Sequence, residues 1–411
     1  MKSKSLQHVQ VAIVGAGIAG LTAAIALRLK GLQVTVIERA ASPESSGAGL
    51  QIQPCASRVV DALDLSEEFA SIASAPSSLN FIEAHSGRLI IQGSPNNRHR
   101  EFPHYQAHRA DFHSMLLKRA GELGAELHFG RTVLGVNQGE LEARTRPKLT
   151  FADSSALAAD LVIGADGIKS LVSRSLFGED NPTFTGQIAY RAMVDASQLD
   201  RKVTAAVVMG PKSHFVMYPL RDGRYINVVA QQDGDSCQDE SWNTKGEVDD
   251  LRRHYSGWHT DVDQVLGAMK ETYRWALYTR KPMPRWSIGP VGLIGDACHA
   301  ALPNLGAGAA MAMEDAYLLA ELIERHPTEL STALNKLYLL RIGRCSRVQR
   351  GSARNAKLFH ISNPAQRWLT HRTLGFVSKN IPYLIEKQLT WLQDYDVTQV
   401  LPPIAKGAYV S

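Results

Sequence analysis

The chain has 411 residues, enough for two to three domains of about 150 residues each. Hydrophobic residues make up 44% and charged residues 21%, which is ordinary for a globular protein with a large core and excludes a disordered or fibrous chain. The net charge of +5 is too small to indicate nucleic-acid binding by itself, and four scattered cysteines without a C-x-x-C pair argue against a disulfide framework.

The N-terminal segment has the pattern of a strand–helix–strand unit that binds a dinucleotide. Residues 11–14 form a short apolar run, residues 21–30 an Ala- and Leu-rich helix that ends at Gly31, and residues 33–37 a second β-branched run. A glycine-rich turn without a ligand is the alternative, and the order of the three elements argues against it.

The turn between the first strand and the helix contains Gly15, Gly17 and Gly20 in a G-x-G-x-x-G motif. Such glycines allow a sharp turn, a close approach of backbone N–H groups to a pyrophosphate, and tight packing of helix on strand. Glu38 follows the second strand, where a carboxylate can accept from both hydroxyls of an adenosine ribose. An acid at that position argues for an unphosphorylated ribose, so the site predicts NAD or FAD rather than NADP. Arg39, beside it, is also a candidate for cofactor contact.

The first residues of the chain also resemble a secretion signal, with two lysines before an apolar run. We reject that interpretation because cleavage would remove the predicted phosphate-binding loop. No uninterrupted apolar stretch reaches the length of about 20 residues that spans a bilayer. We therefore expect a cytoplasmic protein.

Two further segments are candidates for cofactor contact. The Ser- and Gly-rich loop at residues 40–60 contains Gly47 and Gly49, which let backbone pass close to a flat ring; a flexible surface loop is an equal alternative. Arg109 stands at the start of a predicted helix over residues 110–123, where the helix dipole disfavours a cation. A bound cofactor phosphate or ribityl chain would explain it, and a solvated arginine is the alternative.

The middle of the chain changes in character. A buried strand at residues 161–163 precedes Asp166, whose carboxylate we expect to point into the crevice at the strand's end. Residues 133–151 resemble a meander. From residue 187 to residue 277, short alternating strands separated by turns predict an antiparallel sheet inserted into the α/β domain, on the substrate side. Residues 251–269 predict one mostly polar helix.

A third segment of cofactor type lies at residues 291–323. A strand ends at Asp296, Pro303 follows, and Gly306 and Gly308 open a long Ala-, Met- and Leu-rich helix. This is a second helix N-terminus preceded by glycines, and such an end favours anions.

The C-terminal part is predicted to be helical and basic. Residues 325–387 contain twelve Lys and Arg against two Asp and Glu. An anionic partner such as nucleic acid or a membrane is possible in principle, but a solvated helix face is favoured. The predicted fold is α/β: a Rossmann-like FAD-binding domain, an inserted antiparallel-sheet substrate domain and a helical C-terminal region. The expected domains are 1–75, 101–180 and 285–330 for the cofactor, 76–100 and 181–284 for the substrate, and 331–411 for the C-terminal helices.

Three motifs in order carry a resemblance to a known family. They are G-x-G-x-x-G at residues 15–20, ADG at residues 165–167, and GDACH at residues 295–299 followed by PNLGAGAAMAMEDA. Together they resemble the single-component FAD-dependent aromatic hydroxylases, also called group A flavoprotein monooxygenases, over nearly the whole chain.

The resemblance implies roles for particular residues. Glu38 would belong to the ADP site, Asp166 would touch the pyrophosphate and the path of the nicotinamide cofactor, and Asp296 would bind the ribityl chain. Arg109 matches the family's arginine in H-R-x-D-[LF]-H. The family usually has G-Q-G-A where this chain has Gly306-Ala307-Gly308-Ala309, which puts one side-chain contact in doubt and leaves the glycine-opened helix end.

Within the family, the segment SHFVMYPLRDG resembles the salicylate hydroxylase, 3-hydroxybenzoate 6-hydroxylase and 6-hydroxynicotinate 3-monooxygenase subgroup. It places His214 and Tyr218 four residues apart, on one side of a strand. The resemblance implies that His214 is a general base and Tyr218 a substrate contact; a core pair with no catalytic role is the alternative. Pro303 resembles a proline beside the substrate, and Arg191 is a candidate for binding a substrate carboxylate or phenolate.

These parts predict an enzyme with non-covalent FAD. NADH or NADPH would reduce it and bind transiently, because no second G-x-G-x-x-G motif is present. The helix end at residues 306–309 would stabilise the negative charge of reduced flavin. Oxygen would give a flavin C4a-hydroperoxide, and a His with a pKa of about 6.5 suits deprotonation of a phenol at neutral pH.

The expected partners are a small aromatic substrate and O2, with no metal, no nucleic acid and no membrane, in a monomer or homodimer. Two alternatives remain at this stage. One is a flavin oxidase or reductase that inserts no oxygen, and the other is a non-catalytic flavin-binding regulator that uses the basic C-terminal helices.

Overall fold

The computed structural model describes residues 6–43, 48–96, 98–139, 145–179, 182–234 and 244–402. In chain order, the strands in these ranges are β1 (Gln10–Val14), β2 (Gln33–Ile37), β3 (Gly49–Ile52), β4 (Ala73–Ser74), β5 (Leu79–Glu83), β6 (Leu89–Gly93), β7 (Tyr105–His108), β8 (Glu126–His128), β9 (Val133–Asn137), β10 (Lys148–Phe151), β11 (Ala156–Ala158), β12 (Leu161–Gly164), β13 (Thr183–Asp195), β14 (Ala206–Gly210), β15 (Ser213–Leu220), β16 (Tyr225–Asp233), β17 (Thr244–Gly246), β18 (Thr272–Thr279), β19 (Ser287–Ile288) and β20 (Val291–Leu293).

The same ranges contain the α-helices that cover these strands. They are α1 (Ile18–Leu29), α2 (Pro54–Ala62), α3 (Ser66–Ile72), α4 (Arg109–Glu122), α5 (Leu171–Phe177), α6 (Val248–His254), α7 (Thr260–Ala268), α8 (Asp296–His299), α9 (Gly308–Arg325), α10 (Leu330–Phe359), α11 (Pro364–Asn380) and α12 (Pro382–Gln393). Short 3₁₀ turns lie at Ala196–Gln198, Pro303–Leu305 and Val397–Gln399.

The predicted dinucleotide unit sits at the centre of a six-stranded sheet in the order β19-β20-β12-β1-β2-β8. Every pairing is parallel except that of β19 with β20. Strand β1 is apolar and buried from its second residue onward, as expected where both faces of a sheet are covered. Helices α1, α4 and α9 share one core on one face, and the β9–β11 meander and α10 contribute to the core on the other.

Helix α1 begins earlier than the sequence predicts. It starts at Ile18 with Gly17 as its N-cap, so its first turn lies inside the glycine motif. This places the free N–H groups of the helix at the carboxyl end of β1.

The second large sheet has eight strands in the order β17-β18-β13-β16-β15-β14-β5-β6. Its pairings are antiparallel except the one between β14 and β5. One face packs on α6 and α7 around a buried aromatic and aliphatic core. The α/β class with an inserted, mainly antiparallel sheet and a helical C-terminal region is confirmed. We propose the three domains with the boundaries given above, since β5 and β6 join the sheet formed by β13–β18.

Two element predictions need correction. Residues 251–269 form two helices, α6 and α7, rather than one, because the chain turns between them through Gly257 at φ +74°. The meander also extends beyond residue 151, because β11 adds a third strand to β9 and β10.

The basic C-terminal region divides into two parts. Arg347, Arg350 and Arg354 of α10 are exposed, as a solvated face predicts. Arg341 is instead fully buried and paired with Glu314 and Asp315 of α9. The acids that balance it lie outside the basic stretch of sequence. In the described part of the chain, no helix combines the length and apolarity that crossing a bilayer requires.

Candidate active site

A cavity of about 620 Å³ lies between the parallel sheet and the eight-stranded sheet. It brings together most of the predicted site residues, which come from seven separate segments. Those on its wall are Gly17, Gly49, Arg109, Arg191, His214, Tyr218, Asp296, Pro303, Gly306, Gly308 and Ala309. Gly15, Gly20, Glu38, Arg39 and Asp166 do not line it.

The glycine motif builds one end of the cavity from backbone. Gly15 has φ +105°, and a Cβ there would lie 2.5 Å from the Ala165 carbonyl oxygen. A Cβ on Gly20 would lie 1.9 Å from the Gly15 carbonyl oxygen, so helix and strand could not pack as they do. At Gly17 a Cβ would meet nothing within 4 Å, which leaves open space above the helix N-terminus.

Glu38 holds this loop in place. Its carboxylate accepts from Ala16 N and Ala40 N, both at 2.9 Å. Arg39 is exposed. The buried His113 ring hydrogen-bonds the Ala16 carbonyl at 2.7 Å through Nε2, a support that the sequence analysis missed although His113 ends the H-R-x-D-[LF]-H motif. Helix α1 has no acid in its first turn, so its N-terminus is a suitable anion site.

Asp166 corrects a prediction. Its carboxylate accepts from the Ser170 hydroxyl and from the backbone N–H groups of Leu171 and Val172, at 2.5, 2.7 and 3.2 Å. It therefore caps α5 rather than pointing into the crevice, since three donors at that helix start compete for its oxygens. Its neighbours Gly167 and Lys169 line the cavity in its place.

Arg109 and Asp296 both line the cavity and interact electrostatically. Arg109 starts α4, and its backbone N–H donates to the Ala48 carbonyl at 2.8 Å. The Asp296 side chain is solvent-accessible and lines the cavity. Burial raises the pKa of Asp296, while His299 and Arg109 act to lower it.

The loop that carries Asp296 is anchored from below by Asp315. The Asp315 carboxylate accepts from Gly295 N at 3.0 Å and pairs with His299 at 2.5 Å and Arg341 at 2.8 Å. Burial opposes ionisation of Asp315, but His299 and Arg341 lower its pKa to about 2. Cys298, His299 and Asp315 are close enough to hold a metal ion, but these ion pairs already account for the charges.

The second glycine-opened helix end lies at the far side of the cavity. Gly306 is in the left-handed region at φ +58°, and a Cβ on Gly308 would meet nothing within 4 Å. Helix α9 has neither a side-chain cap nor an acid in its first turn. The Pro303 carbonyl accepts from Gly306 N at 2.8 Å and closes the turn.

Gly49 makes room for two side chains of the eight-stranded sheet. A Cβ there would lie 2.5 Å from the Tyr218 hydroxyl and 2.5 Å from the Asn227 amide carbon, and Gly49 also lines the cavity, so its predicted contact with a cofactor ring stays a prediction. Gly49 N also donates to Asn227 Oδ1. Gly47 lies outside the described residues.

The substrate end is built from side chains of the eight-stranded sheet. Along β15, His214, Val216 and Tyr218 line the cavity, while Phe215 and Met217 pack into the core beneath α6 and α7. This alternation follows from the period of two along a strand. Arg191 on β13 lies over the Trp275 ring at 4.3 Å, and burial, with Arg109, lowers its pKa to about 10 while Tyr218 opposes the change.

His214 belongs to a chain of side chains that the sequence analysis missed. Its Nδ1 lies 2.7 Å from His360 Nε2, and His360 Nδ1 lies 2.5 Å from Asp233 Oδ1. His360 follows α10, 146 positions from His214, and no local motif marks it. Burial and His360 lower the pKa of His214 well below its usual 6.5, which differs from the ordinary value assumed from sequence.

Comparison with known proteins agrees with this geometry. The FAD binding domain family matches residues 8–333. The 3-amino-4-hydroxybenzoate 2-monooxygenase of Streptomyces cremeus is 33% identical over 86% of this chain and 89% of its own length. The 3-hydroxybenzoate 6-hydroxylase of Polaromonas naphthalenivorans (strain CJ2) is 32% identical over 85% and 88%. A structure titled "Salicylate hydroxylase substrate complex" superposes with a TM-score of 0.80 at 28% identity, covering 97% of this chain and 99% of that one.

The chain therefore belongs to the FAD-dependent aromatic hydroxylases. It is an enzyme of the monooxygenase class that uses FAD, with NADH or NADPH as the co-substrate typical of the family. The resemblance drawn from the three sequence motifs is confirmed at the level of the family.

Proposed function

We propose that this protein hydroxylates a small phenolic ring that carries an anionic group, with His214 as the general base. The observation that carries the proposal is the position of His214: it lines the cavity while His360 holds its Nδ1 at 2.7 Å. Nε2 is then the ring nitrogen available on the cavity side. Because its pKa is lowered, His214 is neutral at neutral pH and able to accept a proton.

The walls of the substrate end support an aromatic ligand. Val207, Val216, Val229, Trp275 and Leu277 line it. Flat apolar walls of this kind bury the faces of a ring and exclude water from the reacting atoms.

Two cations support an anionic group on that ring. Arg191 and Arg109 both line the cavity, and Arg191 stays protonated at neutral pH with a pKa of about 10. The relatives named above act on hydroxybenzoates, which combine a phenol with a carboxylate. We propose that the substrate of this chain is of the same class, a hydroxylated aromatic carboxylate.

Three glycines leave space in the cavity that FAD can occupy. A Cβ on Gly17, Gly167 or Gly308 would project into open space, and all three residues line the cavity. The first helix end would hold the ADP part with support from Glu38, and the residues Gly308 and Ala309 would face the anionic edge of the ring system. Bound FAD supplies the electrons taken from NAD(P)H and the activation of O2.

The protein's own side chains have separate tasks in this proposal. His214 Nε2 accepts the proton of the substrate hydroxyl, which makes the ring electron-rich. Burial raises the pKa of Tyr218, so Tyr218 orients the substrate as a neutral phenol. Pro303 keeps the wall beside the ring rigid. A cytoplasmic location and a monomer or homodimer remain predictions; the described cysteines Cys55, Cys298 and Cys345 are free thiols.

The experiment is a substrate panel. The purified protein, whose visible spectrum reports bound flavin, is mixed with NADH or NADPH and with hydroxybenzoates, salicylate or 6-hydroxynicotinate. We expect at least one ring to stimulate NAD(P)H oxidation and to yield one hydroxylated product per NAD(P)H consumed. Stimulated oxidation that gives only hydrogen peroxide would favour the oxidase alternative, and bound flavin without any stimulation would favour the regulator.

A further inference from the structure

We propose that His360 and Asp233 carry the proton that His214 takes from the substrate out of the cavity to solvent. The proposal rests on the proposed role of His214 and adds a route for the proton. It concerns two residues that meet through the tertiary fold alone.

The route runs along one face of the sheet, from a buried end to a solvent-exposed end, because His214 pairs with Gln231 and Asp233 lies two residues further along β16. His214 is 1% exposed. His360 is buried behind it, with its ring 4.9 Å from that of His214 between centroids. Asp233, at the end of β16, is 42% exposed and lines a separate open groove together with Gln187, Lys357 and His360.

The hydrogen bond to Asp233 sets the tautomers that we propose for the two imidazoles. The Asp233 carboxylate can only accept, so His360 Nδ1 carries a hydrogen and donates to it at 2.5 Å. This contact is shorter than the 3.0 Å between His360 Nδ1 and the Gln187 amide nitrogen, which can only donate. In neutral His360, Nε2 is then an acceptor, so His214 Nδ1 carries the hydrogen that joins the two rings. His214 Nε2 is left unprotonated, which is the state a base requires. Gln187 Nε2 also donates to Asp233 at 3.2 Å and steadies the carboxylate.

The proton transfer balances without another reactant. The substrate O–H bond breaks and a bond from hydrogen to His214 Nε2 forms. His214 Nδ1–H then breaks as His360 Nε2–H forms, which returns His214 to neutrality. His360 then releases its Nδ1 proton to Asp233 or to water in the groove, which leaves both rings neutral with hydrogen on Nε2. When the product phenolate takes the proton back from His214 Nε2, a proton moves from His360 Nε2 to His214 Nδ1 and His360 Nδ1 takes one from the groove, which restores the starting tautomers. The transferred charge thus rests next to a carboxylate rather than in an apolar pocket, where an unpaired ion is costly.

The surroundings of the pair favour this direction. Phe359 packs edge-on against the His214 ring at 5.1 Å, and Tyr255 donates to the His214 carbonyl at 3.3 Å. Among the described residues, His254 acts on His360 and Lys212 acts on Asp233, and Lys357 lines the groove beside them. His254 and Lys212 both add positive charge when protonated, so both favour release of the proton to solvent over its retention.

The first test reads the tautomers and needs no turnover. In FAD-loaded protein labelled with ¹⁵N-histidine, we expect His214 to be protonated at Nδ1 and not at Nε2. The His360→Ala variant should lose that preference, whereas the exposed His8→Gln control should keep it. A His214 protonated at Nε2 in the wild type would overturn the route, whatever the substrate proves to be.

The second test follows the proton itself. A coloured phenol, 4-nitrophenol, is mixed with FAD-loaded enzyme in a weakly buffered solution containing a pH indicator. We expect His360→Gln and Asp233→Asn to slow proton release by roughly 10- to 100-fold, at or below the lower end of the effect of about 10²–10⁴-fold that a direct general acid or base has, with the dissociation constant changed by less than about threefold. Free imidazole should restore part of the rate in His360→Ala. The Asp263→Asn control, an exposed carboxylate on α7, should behave as wild type.

The two proposals fail in different ways. If no ring of the panel is hydroxylated but the tautomers and proton release are as stated, the proposed function is wrong and the proton route stands. If hydroxylation occurs and His360→Gln releases protons at the wild-type rate, or imidazole restores nothing while affinity falls in step with rate, the route is wrong and His360 only supports the structure.

Discussion

The two ends of the cavity are built by different means. The cofactor end is made of backbone: glycine turns at residues 15–20 and 306–308 leave two helix N-termini uncapped and open. The substrate end is made of side chains on a sheet, with His214, Tyr218 and Arg191 set among apolar neighbours. Backbone N–H groups bind phosphate whatever residues surround them, so the cofactor end can stay constant. Side chains on alternate strand positions can be exchanged singly, so the substrate end can diverge.

The largest expected effect is loss of the proposed general base, a change that is confined to the substrate end of the cavity. His214→Ala should lower the rate of hydroxylation by about 10²- to 10⁴-fold, the usual contribution of a general base, while FAD content is unchanged. Because burial and His360 lower the pKa of His214, the wild-type rate should not fall between pH 8 and pH 6. Steady-state kinetics with product analysis measures both. Unchanged hydroxylation in the variant over that range would remove His214 from the mechanism.

The next effect concerns His104, which lines the cavity beside Gln53 where the two ends meet. Burial lowers the pKa of His104 from 6.5 to about 4. Between these pH values the unfolded chain binds a proton at His104 that the folded chain does not bind. His104 therefore leaves the free energy of unfolding unchanged above pH 6.5 and lowers it as the pH falls toward 4. This loss reaches about 3 kcal/mol at the acid limit.

Urea unfolding of the FAD-loaded enzyme at pH 7 and pH 4.5 measures this contribution. His104→Gln should show a smaller loss between the two values than the wild type, whereas the exposed His8→Gln should match the wild type. Equal losses in all three proteins would show that His104 is not held neutral in the cavity.

Substitutions of Gly15 and Gly17 distinguish two proposed roles of the glycine motif, which are to allow the backbone conformation of the turn and to leave space for FAD. Gly15→Ala should destabilise even the FAD-free protein by about 1–3 kcal/mol, because φ is +105° and the Cβ meets the backbone of Ala165. Gly17→Ala should leave the melting temperature of the FAD-free protein nearly unchanged and weaken FAD binding by about tenfold, because its Cβ fills only open space. Calorimetry of the FAD-free forms and flavin fluorescence titration distinguish the two. Equal FAD affinity in Gly17→Ala and wild type would mean that the cofactor does not approach this loop.

The smallest expected effect sharpens the role of Asp166. Removing a helix cap costs about 0.5–2 kcal/mol, so Asp166→Ala should lower the free energy of unfolding by about 1 kcal/mol and change the FAD dissociation constant by less than about twofold. Chemical denaturation and the same fluorescence titration measure these values. A tenfold loss of FAD affinity at unchanged stability would restore the cofactor contact predicted from the family.

The sequence by itself was enough to identify the family and to locate the two helix ends that are opened by glycines. The G-x-G-x-x-G turn, Glu38 and the glycines at 306 and 308 act through local backbone geometry, which is written in consecutive residues. The strand period also placed His214 and Tyr218 on one face, and both line the cavity.

Only the tertiary structure decided how side chains from distant segments meet. It turned the Asp166 carboxylate toward α5, because the backbone N–H groups of Leu171 and Val172 at the start of that helix donate to it. It packed Tyr218 and Asn227 against Gly49, where a Cβ would not fit. It also paired the buried Arg341 with acids on another helix. It also joined His214 to His360 and Asp233. These contacts depend on how a sheet and a C-terminal helix pack together, and no local spacing along the chain records that packing.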